Sequence, residues 1–276
     1  MKLIQERNKS VTYKEARVYL DEMSKYGSVL GLDTIRGLLR ELGNPQESLK
    51  FIHIAGTNGK GSVLAYTSMI LSKAGYKTGR YVSPTVISYL EKIQIDGKWI
   101  SESEFAEIME EIKEAIDRLV CKGEPVPTVF EVETAMAFLY FKKQKCDLVV
   151  LETGLGGETD ATNVIKNTVC AVFATISVDH LGVIGDTLEE IAQTKSGIIK
   201  QGCTVVSARQ QENVRLILRK KAESLNCIYT EAEPEQMSIE KEDYKGLTFS
   251  YKKYAQGYKC GARQQFASPA GQEGNN

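Results

Sequence analysis

Long apolar runs are missing from this sequence: no stretch approaches the roughly 18 uncharged apolar residues that a membrane span needs. The opening MKLIQERNKS also has no apolar centre of signal-peptide length. The expectation is a cytoplasmic protein with no membrane contact. Net charge is lacking as well. The 35 basic and 36 acidic residues give a formal charge of -1, so no domain-wide field exists to hold a nucleic acid. The six cysteines contain no C-x-x-C pair, which argues against a zinc site or a designed disulfide framework and favours reduced, mostly buried thiols. Only two histidines occur, and no internal repeat is visible. What the 276 residues do have is 42% hydrophobic content against 26% charge, enough apolar material for one large core.

The periodicities predict an α/β fold. Helices are expected at Tyr13 to Met23 and Thr34 to Leu42, the second stopped by Gly43-Asn44-Pro45. A buried strand at Phe51 to Ala55 is followed by a helix from Lys60 to Ala74 and a second strand from Thr78 to Val82. Asp96-Gly97 marks a hairpin, and Ser101-x-x-Glu104 is a capping box for a helix reaching about Leu119. Another helix is expected from Phe130 to about Gln144. Apolar runs at Asp147 to Leu151, Val169 to Ile176 and Thr204 to Ser207 then alternate with helical segments at Thr187 to Ile199 and Glu212 to Leu225. That alternation predicts a mostly parallel, doubly wound sheet. Beyond Leu225 the pattern decays: Glu231 to Glu242 reads as acidic and polar, and only Leu247 to Tyr251 reads as a strand. The expected domain is 1–251, with 252–276 a Gly- and Gln-rich tail that lacks periodicity and is expected to be disordered.

Between the first strand and its helix lies Gly56-Thr57-Asn58-Gly59-Lys60-Gly61-Ser62. Strand, glycine loop and helix in that order aim backbone N–H groups and a helix N-terminus at one anion. This predicts a phosphate loop for ATP, with Lys60 as the cation for the terminal phosphates and the Ser62 hydroxyl as a Mg²⁺ ligand. The spacing is G-x-x-G-K-G-S, which departs from the ordinary G-x-x-x-x-G-K-[ST].

Other polar residues fall at the same sheet edge. Leu151-Glu152-Thr153-Gly154-Leu155-Gly156-Gly157 puts a carboxylate at the end of an apolar strand, where open parallel sheets bind ligands. Asp160-Ala161-Thr162-Asn163 continues that loop with small polar residues suited to substrate contact. Val178-Asp179-His180 closes the next strand, which brings His180 to the same edge as a functional candidate. For His53, in mid-strand, a satisfied core role is expected. Ser83-Pro84 ends the second strand, and a serine hydroxyl there could ligate a cation.

Four separated segments, AGTNGKGS (Ala55 to Ser62), PTVFE (Pro127 to Glu131), LETGLGGETDATN (Leu151 to Asn163) and ISVDHLGVIGDTLEEIAQTKSGIIK (Ile176 to Lys200), resemble the folylpolyglutamate synthase and dihydrofolate synthase family, relatives of the Mur ligases. The likeness runs from about Tyr13 to about Tyr251. It implies a Mur-ligase-like ATPase domain and ATP-dependent joining of L-glutamate to a folate or dihydropteroate carboxylate through an acyl phosphate. It also implies magnesium ligands at Ser62, Ser83, Glu152 and His180. Lys195, in Gln193-Thr194-Lys195-Ser196-Gly197-Ile198, resembles the family lysine that carries a CO₂ carbamate and so becomes a further ligand. Lys60, Lys195 and His180 would be catalytic. Pteroate contacts would fall at Leu30, Gly31 and Leu32, at Thr128, Val129, Phe130 and Glu131, and at Thr159, Asp160 and Ala161.

The chain departs from the family pattern at Thr85, where His is common after Ser-Pro, and at Glu158, where Arg is common after Gly-Gly. The family's C-terminal domain is also missing, so the expectation is a monomer that binds ATP and Mg²⁺ with little ligase turnover. The alternatives are a non-catalytic nucleotide-binding module and a Mur-type ligase of cell-wall precursors; PTVFE and GETDATN speak against the latter.

Overall fold

The computed structural model describes residues 11–24, 31–179, 182–243 and 246–251. Two compact units divide at Thr230 and Glu231. The first is built on an eight-stranded sheet in the order β4-β3-β2-β5-β1-β6-β7-β8. Its strands are β1 (Phe51–Ala55), β2 (Thr78–Tyr81), β3 (Ile93–Ile95), β4 (Lys98–Trp99), β5 (Leu148–Glu152), β6 (Thr168–Phe173), β7 (Thr204–Ser207) and β8 (Ile228–Glu231). The pairs β2·β5, β5·β1, β1·β6 and β6·β7 are parallel, while β2·β3 and β3·β4 form the antiparallel edge. The doubly wound, mostly parallel sheet is thus the observed architecture.

The helices are α1 (Tyr13–Met23), α2 (Asp33–Glu41), α3 (Lys60–Lys73), α4 (Glu102–Cys121), α5 (Val129–Lys143), α6 (Leu188–Ser196) and α7 (Glu212–Ser224). Local chemistry fixes several starts. Thr12 with Glu15, Ser101 with Glu104 and Thr128 with Glu131 form capping boxes that satisfy the first N–H groups of α1, α4 and α5. Strand alternation then sorts the layers. Phe51 of β1 packs with Leu38 of α2, Ile112 of α4 and Phe138 of α5. Ile54 points to the opposite face and joins Leu64 of α3 and Val150 of β5. A further cluster sets Ile191 of α6 and Val214 and Leu218 of α7 against Ala171, Phe173 and Val205.

Chain direction creates the site. From β1 the chain crosses to β2 on one side of the sheet, whereas from β6 it moves to β7 on the other. The carboxyl ends of β1 and β6 therefore flank a topological switch point, the crevice where open α/β sheets hold ligands.

Two expectations need correction. β6 ends at Phe173, so Val178-Asp179 is not strand; the chain has already left the sheet at Ala174, and Thr175 makes an isolated bridge to Asn58. Likewise Met237–Asp243, expected to be irregular, is a strand (β9) paired antiparallel with Gly246–Tyr251 (β10) in the second unit. Charged residues have weak strand preference, yet pairing to β10 supplies the ladder that propensity does not. The tail expected to be disordered, 252–276, lies outside the described residues.

Candidate active site

At the end of β1, Gly56 has φ 154°, and a Cβ there would lie 2.8 Å from the Ala174 Cβ. Only glycine lets the loop pass this close to the segment leaving β6. The loop is stitched to that segment: Thr57 and Asn58 N–H donate to the Thr175 carbonyl at 2.8 and 3.3 Å, and Thr57 Oγ1 donates to the Ser177 carbonyl at 2.9 Å. Those two amides are therefore committed inside the protein. The donors left over are those of the first turn of α3, whose N-cap, Gly59, is left-handed (φ 84°) and offers no side-chain cap. A helix start leaves its first N–H groups without intrahelical partners and concentrates positive potential there. Asn58, Gly59 and Ser62 are solvent-exposed, so the turn is reachable. Lys60 folds back, its Nζ donating to the carbonyls of Gly56 at 3.2 Å and Thr57 at 3.5 Å.

Two buried ionisable groups adjoin this turn. Glu152, the last residue of β5, is buried with one carboxylate oxygen, Oε2, lacking any hydrogen bond. That oxygen lies 3.9 Å from where a Cβ on Gly61 would stand, so it borders the first turn of α3. Burial raises the Glu152 pKa to about 7, against the lowering effects of Lys60, the Ser83 N–H and Arg80. Lys195, in the last turn of α6, is also buried and donates to the Gly56 carbonyl at 3.1 Å. Burial, then the neighbouring Lys60 charge, lowers its pKa to about 8, with Asp179 and Asp160 opposing.

An unsatisfied buried carboxylate oxygen beside exposed Ser62 and half-buried Ser83 is a hard-oxygen set that fits Mg²⁺. Among the described residues no three His, Cys, Asp or Glu side chains converge as a self-sufficient metal centre. The fit is thus to the kind of magnesium that takes one carboxylate from the protein and the remaining ligands from phosphates and water. His180 lies outside the described residues, as does Leu30.

The loop after Glu152 is closed by Asp160. Its Oδ2 accepts Leu155 N–H at 2.6 Å and its Oδ1 accepts Thr162 N–H at 3.0 Å and the Thr162 hydroxyl. Thr159 is exposed and Ala161 buried. Phe130 stands over this loop, its Cζ only 2.5 Å from the place of a Cβ on Gly154, so the PTVFE and GETDATN segments are neighbours. Within PTVFE, Thr128 and Glu131 spend their side chains on each other's backbone as the α5 cap, and Val129 packs against the core. Leu32 also packs there, while Gly31 has open space at its Cα. These residues frame the crevice chiefly as fixed structure.

Sequence reasoning missed Arg80 and Glu91. Arg80 is partly buried on β2, and the nearby Glu152 and Glu91 carboxylates oppose the lowering that burial imposes on its pKa. Glu91 accepts N–H bonds from Val86, Ile87 and Ser88, which fixes the loop beyond Ser83. A charged side chain inside a strand that should be buried was the available signal for Arg80.

Comparison with known proteins agrees with this geometry. Residues 54–262 match the Mur ligase middle domain. Dihydrofolate synthase/folylpolyglutamate synthase of Bacillus subtilis is 39% identical over 212 residues, 76% of this chain and 49% of the relative. The apo form of L. casei FPGS superposes with a TM-score of 0.81 at 31% identity, covering 87% of this chain and 59% of that one. An FPGS-AMPPCP-folate complex gives 0.79 at 30% identity, covering 87% and 60%. The chain spans about half the length of the curated relatives it matches. With three quarters of its residues matched to that domain, and with the glycine loop after β1, Glu152 and Lys195 gathered at the switch point, this chain belongs to the Mur ligase family.

Proposed function

We propose that this chain forms the nucleotide-binding part of an ATP-dependent ligase that joins L-glutamate to the carboxylate of dihydropteroate or a folate. The carrying observation is the uncapped start of α3, flanked by Lys60 and facing the unsatisfied Glu152 oxygen. The α3 N–H groups and Lys60 bind and align the triphosphate. Phosphoryl transfer to a carboxylate needs positioning and charge neutralisation more than covalent help, and these groups supply both. Mg²⁺, held by Glu152 with Ser62, Ser83 and His180, would offset charge on the phosphates. The likeness to an FPGS seen with AMPPCP and folate supports the nucleotide and the folate.

Lys195 serves as a carbamate in this reading. Its buried amine, with lowered basicity, holds a neutral fraction near pH 8 that can attack CO₂, forming an N–C bond and releasing a proton. Closure of a second wall expels water in such sites, and the matched span is about half of its relatives. Turnover is therefore read both on these residues and on a longer chain. The test is radiolabelled glutamate incorporation with dihydropteroate and with tetrahydrofolate, run on this chain and on a chain extended to its relatives' length. An extended chain that binds ATP yet incorporates no glutamate overturns the ligase reading and favours a nucleotide-binding module.

A further inference from the structure

We propose that His53 is a positioning residue for the substrate loop, holding residues 154–163 between Glu152 and Lys195 through a hydrogen-bonded chain that runs from His53 to Thr162 to Asp160. The substrate-bearing role of that loop rests on the ligase reading above; the chain itself rests on the geometry.

His53 sits at the centre of β1, between Leu151 of β5 and Ala171 of β6, and is fully buried. Burial drives its pKa to about 3, so the ring is neutral, with one N–H and one bare nitrogen. Nε2 lies 2.9 Å from the Thr162 hydroxyl oxygen, and Nδ1 has no hydrogen-bond partner. The hydroxyl has a single proton, and it goes to Asp160 Oδ1, a carboxylate that accepts from Thr162 and Leu155. Thr162 must therefore receive from His53, which places the ring proton on Nε2. Each donor points toward the carboxylate, an order in which the bonds reinforce one another.

What Asp160 gathers is the loop. Its two oxygens tie Leu155 to Thr162, closing the segment that follows Glu152. The far side of the same loop is docked on α6: Glu158 N–H donates to Thr194 at 2.9 Å, and Asn163 Nδ2 to the carbonyls of Glu158 and Gly197 at 3.0 and 3.1 Å. An apolar residue at position 53 would pack as well in β1, but would leave the fully buried Thr162 hydroxyl without its donor. The histidine in the sheet is thus explained by the loop it holds.

The test compares His53→Leu, His53→Gln and Thr162→Val in the 276-residue chain by hydrogen exchange of individual amides without ligand. Leucine and valine should accelerate exchange at Leu155 and Thr162 about tenfold or more while β1, β5 and β6 amides keep their rates. Glutamine, whose amide reaches the place of Nε2, should restore the slow rates. The double variant His53→Leu with Thr162→Val should be no faster than either single one, since both cut one chain. Unchanged loop exchange, failed rescue by glutamine or additive effects overturn the proposal. If His53→Leu does not fold, nitrogen NMR of the wild-type ring decides: Nε2 protonated and Nδ1 bare from about pH 5 to 8 is expected, and the opposite tautomer overturns it. Loss of ATP binding would instead count against the ligase reading and leave these exchange results untouched.

Discussion

Lys60 and Lys195 donate to the same oxygen, the Gly56 carbonyl, at 3.2 and 3.1 Å. One lysine comes from the start of α3 and the other from the last turn of α6, 135 positions away in sequence. Burial first, and then the like charge of Lys60 on the same acceptor, destabilise the protonated state of Lys195. Equilibration with ¹³C-bicarbonate should give a carbamate resonance that is absent in Lys195→Ala. The signal should grow as pH rises toward and past about 8, where the amine loses its proton. Replacing Lys60 by methionine removes the neighbouring charge, raises the Lys195 pKa and moves that growth to higher pH.

Glu152 makes a stability prediction with a definite sign. The unfolded carboxyl releases its proton near 4.5, the native one at about 7. Between those values the native state binds more protons, so stability falls as pH rises, and the full penalty is present above about 7. Glu152→Gln should therefore stabilise the magnesium-free chain by about 1–3 kcal/mol near pH 8 and change little near pH 4. Urea unfolding in chelator at both pH values checks this, and equal effects at the two would refute the assigned burial.

Gly157 permits the loop to touch α6. A Cβ there would sit 2.8 Å from the carbonyl oxygens of both Thr194 and Lys195, backbone atoms that cannot swing aside. Gly157→Ala should cost about 1–3 kcal/mol in urea unfolding and displace Lys195 from Gly56. A neutral result would mean that the loop and helix separate freely.

Much of this was readable from local pattern. Apolar runs located β1, β5 and β7, and capping boxes such as Ser101 with Glu104 located helix starts, because both signals act within a few residues. The burial of His53 was legible from its place in an apolar strand, but its partner was not: Thr162 lies 109 positions away, and only the fold joins them. Nor could spacing reveal that Thr57 and Asn58 turn their amides inward to Thr175, or that Asp160 faces its own loop. Strand β9 was missed since its charged half gains order from pairing with β10, a contact that no local preference encodes.

The central claim is that the first turn of α3 and Lys60 bind a nucleoside triphosphate beside Glu152, and calorimetric titration of AMPPCP tests it most directly. Wild-type chain should bind in the presence of Mg²⁺. Lys60→Met should weaken binding about 10- to 100-fold through loss of a charge-assisted contact, and Glu152→Gln should abolish most of the gain that Mg²⁺ gives. Equal affinity of the wild type and Lys60→Met, or no binding by a folded wild type with Mg²⁺ present, would contradict it.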